Sequence, residues 1–155
     1  MCLSHERYAK LMGLVVQQLQ SFDAQAVVNV FCGLTTLQVK SGVTIETDLL
    51  VQLGAAIERV APNMKAQEVA NTLNAYSKLK EAAVEMPRSM RDALAEVAER
   101  VAPDMNAQEV ANTLNAYSKL EEAAAEMPRS LRDALAQASE RVAGRGVVEN
   151  TLDRH

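Results

Sequence analysis

Apolar residues recur along this chain at helical intervals, and prolines and polar caps punctuate them. From Ala66 to Leu79, Val69, Leu73 and Tyr76 fall at i, i+4 and i+7, and Ala66 and Ala70 widen the stripe. That spacing predicts an amphipathic helix of about four turns. Asn106 with Glu109, three residues on, reads as a cap for its counterpart in the following stretch, and Asp23 can cap an earlier one; Lys65, at the same place, is a poor cap. A second stripe, Met90, Leu94, Val97 and Val101, follows Pro87, and Leu131, Leu135, Ala138 and Val142 follow Pro128. Ser89 with Asp92, and Ser130 with Asp133, predict the caps of these helices, which Pro62, Pro103 and Gly144-Arg145-Gly146 are expected to end.

The stripes repeat. Residues 62–102 align with 103–143 at a period of 41, and 33 of the 41 positions are identical. The eight differences are Asn63/Asp104, Lys65/Asn106, Lys80/Glu121, Val84/Ala125, Met90/Leu131, Glu96/Gln137, Val97/Ala138 and Ala98/Ser139. A more diverged copy precedes them: 22–29 matches 64–71 at an offset of 42, which falls to 41 by Leu49 on Met90, so its inter-helix loop is one residue longer. Before it, 8–19 resembles only the second half of a unit. One helix pair cannot bury its own apolar face, whereas stacked copies share a core. The expected fold is all-α: a right-handed α-solenoid of seven helices. It has a cap helix at about 4–20, repeats at about 21–61, 62–102 and 103–143, and a disordered tail over 147–155.

Composition agrees with this reading and narrows the function. Aromatics are 3% and Trp is absent, while hydrophobic residues are 48% of the chain, which favours helix and disfavours a β-sandwich. No apolar run approaches the ~18 residues of a spanning helix, so no membrane contact is expected. The two cysteines, Cys2 and Cys32, form no metal or disulfide pattern and point to a reducing, intracellular setting, with Cys32 acting as a small core-like residue. No transit-peptide layout is visible at the start. The only histidines are His5 and His155, and no carboxylate pair, nucleophile elbow or phosphate-binding glycine loop appears. No enzyme activity, cofactor or metal is expected. The acidic run Glu121-Glu122-Ala123-Ala124-Ala125-Glu126 reads as solvated loop.

The string Met105-Asn106-Ala107-Gln108-Glu109-Val110-Ala111-Asn112-Thr113-Leu114-Asn115-Ala116-Tyr117-Ser118-Lys119-Leu120, nearly repeated from Met64 to Leu79, resembles the first helix of octotricopeptide repeats. It is also similar to the helical repeats that accompany RAP domains. The resemblance covers roughly residues 22–143. It implies a non-catalytic module that binds single-stranded RNA in chloroplasts or mitochondria and acts in RNA stability, processing or translation.

A site can be placed on the polar side of these helices. Opposite the Val69/Leu73/Tyr76 stripe stand Gln67, Asn71, Asn74 and Lys78, repeated as Gln108, Asn112, Asn115 and Lys119. Amides carry both a donor and an acceptor for base edges, and lysine neutralises phosphate. Gln67, Asn74, Lys78, Gln108, Asn115 and Lys119 are therefore the candidate RNA contacts, although a merely solvated face has the same composition. Asn71 and Asn112, with Asn29 in the older copy, are expected to form a structural ladder bonding backbone groups between units. Tyr76 and Tyr117 lie on the apolar stripe and are expected in the core.

Charge supports a different partner. The chain carries a net −4; residues 62–102 are neutral and 103–143 carry −3. A phosphate-binding groove over 103–143 is hard to build on that balance. With Asn74 and Asn115 standing where the resembled repeats carry Trp, an α-solenoid scaffold for a protein or peptide is the alternative function. The Leu131/Leu135/Val142 stripe of the last helix, if exposed, would allow end-to-end self-association.

Overall fold

A computed structural model describes residues 5–42, 44–81, 86–120 and 126–152. The fold is all-α, with seven α-helices and no strand among the described residues. These are α1 (His5–Gln18), α2 (Ala24–Ser41), α3 (Thr47–Val60), α4 (Ala66–Glu81), α5 (Arg88–Val101), α6 (Ala107–Lys119) and α7 (Arg129–Leu152). Short 3₁₀ turns over Leu19–Ser21, Ala61–Asn63 and Ala102–Asp104 lead into α2, α4 and α6. The helices pack in two rows: α2, α4 and α6 side by side, and α1, α3, α5 and α7 side by side. The apolar stripes meet between the rows, where Phe31, Leu53, Ile57, Leu94, Leu131 and Leu135 are almost wholly buried.

Local chemistry explains where most of these helices start and stop. The Asp23 side chain accepts from the Ala26 amide at 2.8 Å, capping α2. Asn106 and Glu109 form the full reciprocal box at the start of α6, at 2.8 and 2.9 Å. Gly42 ends α2 in the left-handed conformation, at φ 69°, where a side chain would be strained. Gly54 serves a different need: a Cβ there would stand 3.0 Å from the ring of Pro87, so a side chain would push α3 and the entry to α5 a few tenths of an ångström apart.

The serine caps expected for α5 and α7 are not formed. Each helix begins one residue after its proline, with Pro87 at the N-cap of α5. The Pro87 carbonyl accepts from Met90, and that of Pro128 from Leu131 and Arg132. Proline is pre-set for this entry, so Ser89 and Ser130 already lie in the first turn. Ser130 instead donates to Glu99 of α5 at 2.9 Å. The glycines after Ala143 do not stop α7 either, which runs to Leu152, through most of the stretch expected as a disordered tail. Glycine costs a helix only ~1 kcal/mol unless it turns left-handed, and Gly42 is the positive-φ glycine here.

What ties one stretch of sequence to the next is an arginine repeated at the same place in three helices. Arg59 in α3 donates to the carbonyls of Leu19 and Phe22, both at 2.8 Å. Arg100 in α5 does the same to Pro62 and Met64, at 2.9 and 3.0 Å, and Arg141 in α7 to Ala102 and Met105, at 3.2 and 2.6 Å. Each guanidinium thus bridges a carbonyl of the 3₁₀ turn and that of the residue after it, the turn carbonyls of Leu19 and Ala102 also accepting the turn's own amide bond, and its planar fork suits two acceptors at once. A fourth link joins α5 to the loop before α7: Glu126, expected as solvated loop, takes both Arg88 and Arg91 at 2.7 Å. The remainder of that acidic run, 121–125, lies outside the described residues.

Candidate functional site

The polar side of α2, α4 and α6 carries most of the candidate residues. Between α2 and α4 lies a cleft of about 220 Å³, lined among others by Asn29, Cys32, Thr36, Asn71, Asn74 and Lys78. Helical spacing brings Asn71, Asn74 and Lys78 to one edge of α4, and the packing of α2 against α4 supplies the opposite wall. Among the described residues, the side chains of Asn29, Asn71 and Asn74 make no hydrogen bond and Lys78 makes no ion pair, so the cleft presents amide donors, amide acceptors and one ammonium. Cys32 forms part of the wall, its thiol 3.7 Å from the Asn71 carbonyl. Burial pushes that thiol's pKa up, and the positive charge of Lys78 opposes the shift.

The structure does not bring all the predicted contacts together. Gln67 is exposed and lines a separate cleft of about 490 Å³ beside Lys65, Arg100 and Glu109. Gln108, Asn115 and Lys119 are exposed on α6. Lys119 turns to Glu81 of α4, Nζ to Oε1 3.4 Å, so its charge is partly matched within the protein. The groove between α4 and α6 therefore differs from the one between α2 and α4, although α4 and α6 share their sequence.

The residues expected to form a ladder sit differently from that expectation. Asn29 and Asn71 are exposed and Asn112 is half-buried, and among the described residues their amides bond no neighbouring unit. The arginine clamps fill that role because a long guanidinium reaches backbone carbonyls across the gap between helices, which a short amide at the surface does not. Sequence reasoning passed over these arginines, yet the string Glu-Arg-Val-Ala stands at 58–61, 99–102 and 140–143.

Tyr76 and Tyr117 are buried in the core. The Tyr117 hydroxyl is buried without a hydrogen-bond partner, and burial drives its pKa far up, against the pull of the Arg91 charge. It adjoins a third cleft, of about 350 Å³, with Arg91, Glu99, Glu126 and Ser130. Among the described residues no group of three or more His, Cys, Asp or Glu side chains could hold a metal ion, and no helix is long and apolar enough to cross a membrane.

A family model described as a protein of unknown function (DUF1601) matches residues 48–73 and 92–114. Each matched segment runs from a helix of the second row, α3 or α5, through a 3₁₀ turn into the next helix of the first row, α4 or α6. The segments end one repeat period apart, and each holds one clamping arginine, Arg59 or Arg100, together with a 3₁₀ joint that the arginine of the following helix pair clamps. No curated protein and no solved structure matches the chain.

Proposed function

We propose that the chain is a right-handed α-solenoid of three 41-residue helix pairs preceded by α1, and that it binds single-stranded RNA, without catalysis, along α2, α4 and α6. The observation that carries this reading is the cleft between α2 and α4, where Asn29, Asn71, Asn74 and Lys78 converge with their hydrogen-bonding capacity unused. An unstacked base offers edges to the amides, and the adjoining phosphate suits Lys78. By the octotricopeptide resemblance the RNA is organellar, and the effect is on its stability, processing or translation.

The reading is tested by fluorescence anisotropy of a labelled random single-stranded RNA pool at low and at physiological salt. Lys78→Glu is expected to weaken binding and to lower the salt slope by about one ion, as the loss of a phosphate contact does. Lys119→Glu is expected to do less, because Glu81 already engages that lysine. Absence of binding at low salt, or binding that Lys78→Glu leaves unchanged, overturns the reading. The Lys119–Glu81 pair and the −3 charge of residues 103–143 favour a second reading, a scaffold for a protein or peptide. That reading predicts no RNA binding at either salt.

A further inference from the structure

Residues 66–79 of α4 are identical to 107–120, which make up α6 and its C-cap Leu120, yet one of their faces is covered in α4 and bare in α6. Ala66, Ala70, Leu73 and Ser77 of α4 are buried, whereas Ala107, Ala111, Leu114 and Ser118 of α6 are exposed, Leu114 at 43%. The cover on α4 is α6, in the most extensive contact between any two helices described. The stripe with which α6 makes that contact can be read from α2, which among the described residues has no first-row helix before it. Val30, Gly33 and Leu37 of α2 are half-buried or exposed, whereas their counterparts Thr113, Ala116 and Leu120 of α6 are buried. The partner chemistry of the bare face is thus set by an interface already present: a β-branched residue, a small residue and a leucine at i, i+3 and i+7 of a helix.

We propose that the bare face of α6 docks a single amphipathic partner helix of this type, seated as α6 is seated on α4. A second copy of the chain in the same register is not the occupant. Its α1 stands against α3 as α3 stands against α5, so seating its α2 on α6 would bring its α1 onto the place of α7. The docking face does not depend on the RNA reading, which rests on the cleft between α2 and α4.

The test uses the full chain and a fluorescent peptide with the sequence of residues 65–80. The peptide is made helical by a staple joining the positions of Gln67 and Asn71, which are one turn apart and exposed in α4. Saturable binding is expected, weakened by roughly tenfold or more when the protein carries Leu114→Lys, and equally when the peptide carries Leu79→Lys, since each places a charge where a leucine packs. Leu114 is exposed, so the protein variant keeps its fold. No binding by the stapled peptide, or binding indifferent to both lysines, overturns the proposal. So does sedimentation equilibrium that shows a dimer of the chain abolished by Leu114→Lys, which would make a second copy the occupant.

Discussion

The two near-identical stretches 62–102 and 103–143 meet different surroundings, and their differences separate what a residue is from where it sits. Leu73 is 2% exposed and Leu114 is 43% exposed, although the residues around them are the same. The first lies between two neighbours in its row and the second at the end of the row. Burial in stacked repeats is a property of the interface as much as of the sequence.

The sharpest way to break this comparison is to shorten both leucines. Leu73→Ala should cost about 2–5 kcal/mol, the range for a cavity in a packed core. Leu114→Ala should stay within about 0.5 kcal/mol, as an exposed substitution does. Urea midpoints of the two variants decide it, and equal losses would mean that the face of α6 is covered.

The clamps come next in size. Arg100→Ala should lose about 1–3 kcal/mol, since the carbonyls of Pro62 and Met64 lose a charged donor. The same change at Arg59 or Arg141 should cost a similar amount, and a loss confined to one of the three would show that the joints are not equivalent.

The caps sharpen a smaller difference, that between Lys65 and Asn106. Asn106→Ala should cost about 1 kcal/mol through loss of the capping box. Lys65→Asn should add a few tenths to about 1 kcal/mol, because Glu68 stands ready as the reciprocal partner and its Oε2 has none at present. Thermal melts of the two variants should move in opposite directions.

The smallest expected effect lies in alkaline solution. The Cys32 thiol and the Tyr117 phenol both have raised pKa values in the folded chain, chiefly through burial. Each is neutral when protonated, so its contribution is complete below the unfolded pKa, near 9 for the thiol and near 10 for the phenol, and is lost as pH rises beyond it. Urea midpoints should therefore fall from about pH 9 upward. Tyr117→Phe should flatten the upper part of that fall, while at neutral pH it removes only a hydroxyl that has no partner.

Much of the fold could be read from the sequence, since helix periodicity, Asp23, Asn106 and the prolines act over a few residues. Three local readings failed for physical reasons. Proline rather than Ser89 or Ser130 sets the start of α5 and α7, Gly144 remains within α7, and Leu131 and Leu135 are covered against α5 and α6 rather than open. The candidate site was legible in part. Lys78, Asn71 and Asn74 follow from helical spacing, but the opposite wall of their cleft, with Asn29 and Cys32, comes from α2 and appears only when the helices pack.

Sequence alone determined the number of helices, their apolar stripes and the near-identity of two units, because these depend on neighbours within a turn or two. Only the tertiary structure decided which stripes are covered, which lysine is paired, and that arginines rather than asparagines join the units. Those outcomes depend on groups some forty residues away, whose distance the chain does not set until its rows have packed.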